Sequence, residues 1–296
     1  AFRDRPAFGA DLTVNRVNLD GYMKKSAAPV KSRAKPAAGA TAKAAGGSPL
    51  AEDFAAWGVL NTFDANMKLQ VKELTFNRTR IRSVFFDGTL YNGTLQIRRA
   101  SVANLAGVSA SLNGNIGGLG GLPSFDKVSI SAKSKDLSRL FRMIGTTPPV
   151  APAALKTVSI VGNLDGSILN PSVDLALGAA GAKVDAKGKI SLLAISPTAD
   201  LKVRVRHGDL GRLMAVLSPG YRPSGKLGGL DLSAAAKGGA DTLALTGLSG
   251  KIGTTTLAGA VRVNLAAAKP AVTADINLGD LKVSNFLPAQ RAAFLP

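Results

Sequence analysis

Histidine is the side chain most often used for acid–base catalysis and metal binding near neutral pH, and it occurs once in this sequence, as His207. Cysteine is absent, so disulfides and Cys-ligated zinc or iron sites are excluded. No second histidine exists to share a metal ion with the first. His207 stands between Arg206 and the Gly208-Asp209 pair, a context typical of a strand end or loop. We therefore predict a structural role for it.

The patterns of nucleophilic and phosphate-transfer enzymes are also missing. No Gly-x-Ser-x-Gly nucleophile elbow is present. The glycine-rich stretch 117–121 lacks the Lys-Ser/Thr pair of a phosphate-binding loop and does not lie between a strand and a helix of a βαβ unit, so we interpret it as a turn. The few carboxylates lie mostly beside turn glycines or at helix starts. The sequence thus predicts a protein that is not an enzyme and has no cofactor and no bound metal.

The composition indicates a thin or open structure. Hydrophobic residues make up 46% of the 296 residues, but aromatic residues only 5%. Tyr221 is the only aromatic residue between Arg142 and Asn285. Large rings normally fill thick cores, so a long stretch of Ala, Gly, Val and Leu favours a repetitive sheet or solenoid over a compact globule.

The chain is strongly basic, with 37 Lys and Arg against 19 Asp and Glu, a net charge of +18. This balance favours anionic partners such as nucleic acid, lipid headgroups or lipopolysaccharide. Six of these charges lie in one acid-free stretch, and the others are spread over the rest of the chain. A nucleic-acid binder would more often gather them on one helix or beside stacking aromatic side chains, so no nucleic acid is expected.

Period-2 alternation of apolar and polar residues dominates from residue 66 onward and predicts a mainly β protein built as an antiparallel meander. Asp87-Gly88 and Asn92-Gly93 are both strong turn dipeptides. The predicted strands cover residues 10–19, 67–76, 85–97 (interrupted by these turns), 108–116, 127–133, 158–164, 172–178, 182–191, 200–206, 229–237, 242–247, 254–265 and 271–278.

A coarse repeat organises these strands: several strands, a last alternating strand, and an Asp-Leu pair that opens a short helix. The marker aspartates are Asp136, Asp209 and Asp280, with Asp20 as an earlier copy. Apolar residues follow Asp136 and Asp209 at identical helical spacing, whereas the third copy loses this stripe. We predict that the aspartates cap the helices rather than catalyse a reaction.

The repeat gives a domain plan. We assign residues 1–23 to the end of a preceding strand repeat and residues 24–49 to a flexible basic linker, because that Lys, Ala, Pro and Gly mixture cannot bury enough apolar area to fold. Residues 50–296 form one β-repeat domain with sub-repeats that end near residues 144, 217 and 287. A short amphipathic helix is predicted from Ser48, as N-cap, to about Gly58.

Residues 48–118 resemble the C-terminal region of the AsmA family of bacterial envelope proteins. The resemblance rests on the helix PLAEDFAAWGVL, the strand NMKLQVKELTF, a turn at Asp87-Gly88-Thr89-Leu90 that matches the family's DGxL pattern, and a small-residue strand that ends in glycine. The strand–Asp-Leu units at 127–144, 200–217 and 272–287 extend it to nearly the whole chain.

The resemblance implies a long curved sheet with a groove, in a periplasmic segment whose parent protein is anchored in the bacterial inner membrane. It also implies phospholipid transport between the inner and outer membranes, with phospholipid or another envelope lipid, bacterial membranes and outer-membrane assembly components as partners. If the apolar strand face lines the groove, the lipid-contacting residues are Leu69, Val71, Leu201, Val203, Val205, Leu257, Val261 and Val263.

Two other functions fit the same residues. Any half-buried antiparallel sheet alternates in this way, so the chain could instead be a structural or assembly factor for outer-membrane biogenesis that carries no lipid. Its charge would also suit a basic polyanion binder acting on lipopolysaccharide.

Overall fold

Fourteen strands in one open sheet make up most of the protein. The computed structural model describes residues 5–21, 56–76, 79–144, 152–155, 157–191, 198–218, 220–239, 241–264, 266 and 271–288. The strands follow one another across the sheet in sequence order, and the sheet does not close. The predicted linker 24–49 and the predicted helix start at Ser48 lie outside the described residues.

The sheet begins with β1 (Ala7–Asn18), β2 (Asp64–Phe76), β3 (Thr79–Tyr91), β4 (Thr94–Leu105), β5 (Val108–Gly117), β6 (Ser124–Ser134) and β7 (Val158–Ser167). It continues with β8 (Ser172–Ala179), β9 (Ala182–Ser191), β10 (Thr198–His207), β11 (Leu230–Gly239), β12 (Thr242–Ile252), β13 (Thr255–Asn264) and β14 (Ala271–Leu278). The helices are α1 (Ser138–Ile144), α2 (Leu210–Leu217) and the 3-10 helices Leu19–Gly21, Ala56–Asn61, Pro152–Leu155 and Val283–Phe286.

Every neighbouring pair from β2 to β14 is antiparallel, as the alternating sequence predicts. The pair β1–β2 is parallel, which the predicted meander did not include. Parallel neighbours need a crossover, because the chain must return to the starting edge of the sheet before the second strand begins.

The sheet bends at irregular positions rather than running flat. Register shifts occur in six strand pairs, including β3–β4, β5–β6 and β12–β13. Such bulges bend a strand and increase its twist. Glycine permits the closest approach of strands: Gly250 has φ +151°, and a Cβ there would collide with the carbonyl oxygen of Asp231. These features fit the long curved sheet that the sequence predicts.

Two-residue turns connect several hairpins. Asn92-Gly93 joins β3 to β4 with φ of +46° and +68°, so this predicted turn is confirmed. Ala106-Gly107 and Ala180-Gly181 join two later hairpins with positive φ at both residues. Positive φ at both central positions is the type I′ geometry, whose twist matches that of the flanking strands.

The second predicted turn, Asp87-Gly88, is wrong: both residues lie inside β3, opposite a bulge in β4. The side chain of Asp87 accepts a hydrogen bond from Nε of Arg98 at 2.9 Å, and Arg98 is the extra residue of the bulge. This pairing stabilises an extended conformation where the dipeptide alone favours a turn. The DGxL element of the family resemblance is therefore a bulged strand here.

All four marker aspartates lie at the same edge of the sheet, which we call the helical edge. It is the edge at which β1, β6, β10 and β14 end, and α1 and α2 follow β6 and β10 there. Asp209 is the N-cap of α2 and accepts a hydrogen bond from the Arg212 amide at 3.1 Å, as predicted. Asp136 accepts from the Ser138 amide at 2.8 Å at the start of α1.

The capping prediction is wrong for Asp280. The N-cap of the following 3-10 helix is Lys282, and no side chain makes a capping hydrogen bond there. Asp280 instead uses its carbonyl oxygen, which accepts from the Thr255 hydroxyl at 2.7 Å. The third copy has no apolar helical stripe to bury, and its chain turns into a single 3-10 turn.

A second position of the repeat, two residues before three of the four aspartates, binds the backbone as the chain leaves the strand. Asn18, Ser134 and His207 each accept a hydrogen bond from the backbone amide of their aspartate, at 3.0–3.1 Å. Ser134 also donates to the carbonyl of Gly107 at 3.0 Å. His207 Nε2 lies 3.1 Å from the carbonyl of Ala180, the corresponding hairpin turn.

The structural role predicted for His207 thus consists of two hydrogen bonds to the backbone, which together fix the tautomer of the ring. Nδ1 must carry a lone pair to accept from the Asp209 amide, so Nε2 carries the proton and donates to Ala180. The ring is 8% exposed and Ser134 is 4% exposed, so both side chains satisfy buried backbone groups.

At the opposite edge, loop residues pack on the ends of the strands and form a small hydrophobic cluster. Leu119, in the β5–β6 loop, is 1% exposed and packs with Ala65 and Leu90. Partly buried neighbours complete the cluster: Leu60, Phe63, Leu95 and Ile116. The backbone amide of Leu119 also donates to Gly93 in the β3–β4 turn at 3.2 Å.

His207→Leu should lower the free energy of unfolding by about 1–3 kcal/mol, because it leaves the Asp209 amide and the Ala180 carbonyl without partners. His207→Asn should be milder, because Asn18 accepts the same amide in the first copy. Urea unfolding and hydrogen exchange at the Asp209 amide measure both effects. Wild-type stability and exchange in His207→Leu would contradict this role.

Candidate functional site

Strand register sorts the side chains onto two faces. In β10, Leu201, Val203 and Val205 lie on one face, while Lys202 and Arg204 lie on the other. Their cross-strand partners follow the same division. Val203 pairs with Ala186 in β9 and Ala234 in β11, whereas Arg204 pairs with Asp185 and Ser233. We call the two sides the apolar face and the polar face.

The apolar face is continuous over all fourteen strands. Directly paired residues form a row from β1 to β11: Leu12, Leu69, Phe86, Ala100, Leu112, Ile130, Gly162, Leu175, Ala186, Val203 and Ala234. The row continues two residues further along β11 at Ala236, Leu245, Val261 and Ala274. Neighbouring strands lie about 4.8 Å apart, so the row is about 60 Å long measured along the sheet.

No second layer covers this row within the described part of the chain. Each strand makes substantial contact only with its neighbours in the sheet, apart from a small contact between β2 and the 3-10 helix Leu19–Gly21. Neither α1 nor α2 packs across a face. Most residues of the row are therefore half-buried, shielded by their neighbours within the sheet.

All eight predicted lipid-contacting residues lie on the apolar face. Leu69 and Val71 pair with Phe86 and Val84 near one end of the sheet. The others lie on β10 and β13: Leu201, Val203, Val205, Leu257, Val261 and Val263. Two of the eight have little surface left for a ligand, since Val71 is 4% exposed and Leu257 is 8% exposed.

A depression with a volume of about 410 Å³ lies elsewhere on this face, over β3–β7. We call it the apolar groove. Its lining residues with side chains on the apolar face are Val84, Phe86, Ala100, Val102, Ala110, Leu112, Ile130, Ala132 and Ile160, and the intervening Phe85, Ser101, Ser111 and Ser131 line it as well. Its volume falls in the range of small-molecule binding sites. Leu69 and Val71 border it through their strand partners, but none of the eight predicted residues lines it.

Short side chains create the groove. Ala110 and Ala132 lie side by side between Val102 and Ile160 in one cross-strand row, and Ala100 lies in the adjacent row. Alanine leaves space that Val, Leu or Phe would fill. The alternating segment 108–116 carried the signal for an apolar face, but alternation does not say which alanines become neighbours.

Ion pairs link side chains of neighbouring strands on the polar face. Lys187 lies 3.0 Å from Asp174, Arg204 lies 2.7 Å from Asp231, and Lys237 lies 3.2 Å from Asp200. These side chains are all well exposed, so each pair contributes little to stability. These charged side chains make one face of the sheet polar and solvent-exposed, while the other face is apolar.

Within the described ranges, no group of three or more His, Asp or Glu side chains could hold a metal ion. The stretch 117–121 ends β5 and forms part of the β5–β6 loop, as its glycines predict. A helix of the length and apolarity needed to cross a bilayer does not occur among the described residues either. Comparisons with known protein families, curated proteins and solved structures found no match.

The Arg204–Asp231 pair makes a testable prediction about titration. Hydrogen bonds from the Arg204 guanidinium hold the pKa of the Asp231 carboxyl below its usual range. The pair should therefore stabilise the folded protein at pH values above the pKa of an aspartate in the unfolded chain. This stabilisation should be lost as the pH falls through the lower pKa of Asp231 in the folded protein.

In an NMR pH titration, Asp231 should lose its charge at a lower pH than an ordinary aspartate, and Arg204→Gln should raise the midpoint. Lys237→Gln is the matched control: it removes the same charge from the next strand, where Lys237 pairs with Asp200. An Asp231 midpoint that Arg204→Gln leaves unchanged would mean that the pair does not form in solution.

Proposed function

We propose that this chain is a non-catalytic module of a bacterial envelope protein that carries phospholipid along its apolar face. The observation that supports this proposal most is the apolar row that crosses all fourteen strands with one two-residue step at β11, over whose centre no described element makes substantial contact. An ordinary sheet protein would bury such a face under helices or a second sheet. A surface of this length and continuity suits a ligand that is itself long and apolar.

An acyl chain fits the chemistry of this face. Each methylene group that leaves water gains about 0.8 kcal/mol, so a chain lying over several strands gains enough to be held without any polar contact. The side chains of this face are mostly aliphatic, and aromatic rings are scarce in the sequence. An acyl chain therefore makes similar weak contacts with each strand and can move along the sheet without breaking a strong, specific interaction.

The proposed setting follows from the resemblance to the AsmA family. The segment would lie in the periplasm, its parent anchored in the inner membrane, and it would support phospholipid transport between the inner and outer membranes. Outer-membrane assembly components are proposed as further partners. The alternative is a scaffold for outer-membrane biogenesis, whose apolar face is covered by another protein rather than by lipid.

Leu112→Asp tests the proposal, because Leu112 lines the apolar groove at the centre of the row. After expression in a bacterial periplasm, native mass spectrometry should find phospholipid bound to the wild-type protein. Leu112→Asp should retain at least about tenfold less lipid, since a buried charge opposes acyl-chain binding. Ser109→Asp is the matched control: it places the same charge on the same strand, on the polar face and outside the groove lining.

Ala110→Phe separates lipid binding from folding, because it fills the groove without adding a charge and should also displace lipid. Circular dichroism and urea unfolding establish that each variant is folded. A folded wild-type protein without lipid, which also fails to take up a short-chain phospholipid, would favour the scaffold. Equal lipid loss in Ser109→Asp and Leu112→Asp would refute the assignment of the apolar face.

A further inference from the structure

The last strand of the sheet, β14, is paired on one side only. Its partner is β13, and no described strand lies along its other side, which we call the β14 flank. Among the fourteen strands of the described sheet, β14 alone has every residue exposed. Val272 is 64% exposed, Leu278 48% and Ile276 40%, and all three lie on the apolar face, like their partners in β13. The flank thus combines backbone groups without a described strand partner with a line of exposed apolar side chains.

The chain that follows β14 turns away from this flank. Tyr221, in the loop before β11, donates a hydrogen bond from its hydroxyl to the carbonyl of Phe286 at 2.6 Å. Pro223, in the same loop, forms an isolated β-bridge with Pro288. Because β11 lies three strands inside the sheet from β14, these contacts direct the chain inward along the helical edge. The described residues after β14 therefore leave its flank uncovered.

The β14 flank also lacks the features that usually prevent an exposed strand from pairing with another chain. Natural sheets protect such strands with lysine, proline, bulges or a covering element. β14 contains no lysine, arginine or proline, and its register with β13 runs without a shift from Ala271 to Leu278. The outer strand at the other end of the sheet differs, because Asp11 and Arg16 of β1 form ion pairs with β2. The β14 flank is thus the better suited of the two to accept a further strand.

The sequence of β14 is complementary to a second copy of itself. In an antiparallel pair centred on Ala274, Val272 lies opposite the partner's Ile276, and Thr273 lies opposite the partner's Asp275. Apolar side chains then meet apolar ones on one face over residues 271–277, and no two charges of the same sign are directly opposite each other. A pair centred on Asp275 would instead place two carboxylates opposite each other, which is destabilising.

The pairing centred on Ala274 also brings opposite charges together. Arg262 of β13 is exposed and lies directly opposite Thr273. Among the described residues, neither Arg262 nor Asp275 has an ion-pair partner. The partner's Asp275 would join this row two strands from Arg262, about 10 Å between Cα atoms, a gap that the long arginine side chain can span. The two-fold symmetry of the pair repeats this arrangement in the other copy.

We propose that two copies of this chain pair through their β14 flanks and form one continuous sheet. Directly opposite residues share a face, so the apolar faces of both copies lie on the same side. The apolar row then runs through Ala274 into the second copy and is about 120 Å long measured along the sheet. The pairing rests on the β14 flank alone and is independent of the proposed function, which the longer apolar surface would serve.

A single cysteine tests the register, because the chain has no cysteine of its own. Ala274→Cys places the thiol opposite its own copy, with Cα atoms about 4.5–5.5 Å apart, which is within the range of a disulfide. Mild oxidation of the full chain should therefore give a covalent dimer. Ala271→Cys is the matched control: it lies about 20 Å along the strand from its own copy and should cross-link at least about tenfold more slowly.

Charge substitutions at Thr273 separate pairing from folding. Thr273→Asp places a carboxylate opposite the partner's Asp275 at two symmetric positions, so the dimer dissociation constant should rise about tenfold in sedimentation equilibrium. Within one copy the new carboxylate faces Arg262, so the variant should unfold in urea no more easily than the wild-type protein. Thr273→Lys should lower the dissociation constant. Thr246→Asp, the same change on the polar face of the interior strand β12, should leave it unchanged.

The wild-type protein should sediment as a dimer of the 30.2 kDa chain at an ionic strength that screens its net charge of +18. A monomer, or equal cross-linking of Ala274→Cys and Ala271→Cys, would overturn the interface and leave lipid carriage by the single chain intact. Assemblies of more than two copies would mean that β14 pairs with β1 of the next copy, which also overturns it. A dimer that binds no phospholipid in native mass spectrometry would support the interface and refute the proposed function.

Discussion

Strand register is the constraint on which the rest of this structure depends. Each strand pairs with its neighbours in sequence, and a slip of one residue would move all of a strand's side chains to the other face. The apolar row stays unbroken because the insertions are absorbed locally. The extra residue of the β4 bulge lies at Arg98, and in β6 the shift occurs around Lys127, which adopts φ +51°. The apolar side chains beyond each bulge return to the same face.

A sheet of this kind is stabilised mainly by the contacts between each strand and its two neighbours. Among the described elements, substantial contacts join strands that are neighbours in the sheet, and local interactions at the two ends of the strands add to them. At the helical edge, Ser134 and His207 tie the end of a strand to the preceding hairpin turn. At the other edge, loop residues such as Leu119 bury the ends of strands. The sequence repeat therefore includes the side chains that hydrogen-bond at the strand ends as well as the strands themselves.

The distribution of charge follows from the same geometry. Several cations on the polar face have aspartate partners on adjacent strands, such as Lys187 with Asp174 and Arg204 with Asp231. The charged side chains of these strands thus lie on one face of the sheet, while aliphatic side chains such as Val203 and Leu175 lie on the other.

The sequence by itself determined the strands, the repeat and the existence of two faces. Period-2 alternation and turn dipeptides such as Asn92-Gly93 act over a few residues, so they can be recognised without knowledge of the neighbours. The structural role of His207 also followed from its isolation among residues of a strand end.

Tertiary structure alone decided where the apolar groove lies. Asp87-Gly88 became part of a bulged strand because Arg98 lies beside it in the next strand. Ala110 and Ala132 meet only through pairing between segments separated in sequence. Register between strands is a property of the whole sheet, and local alternation holds no information about it.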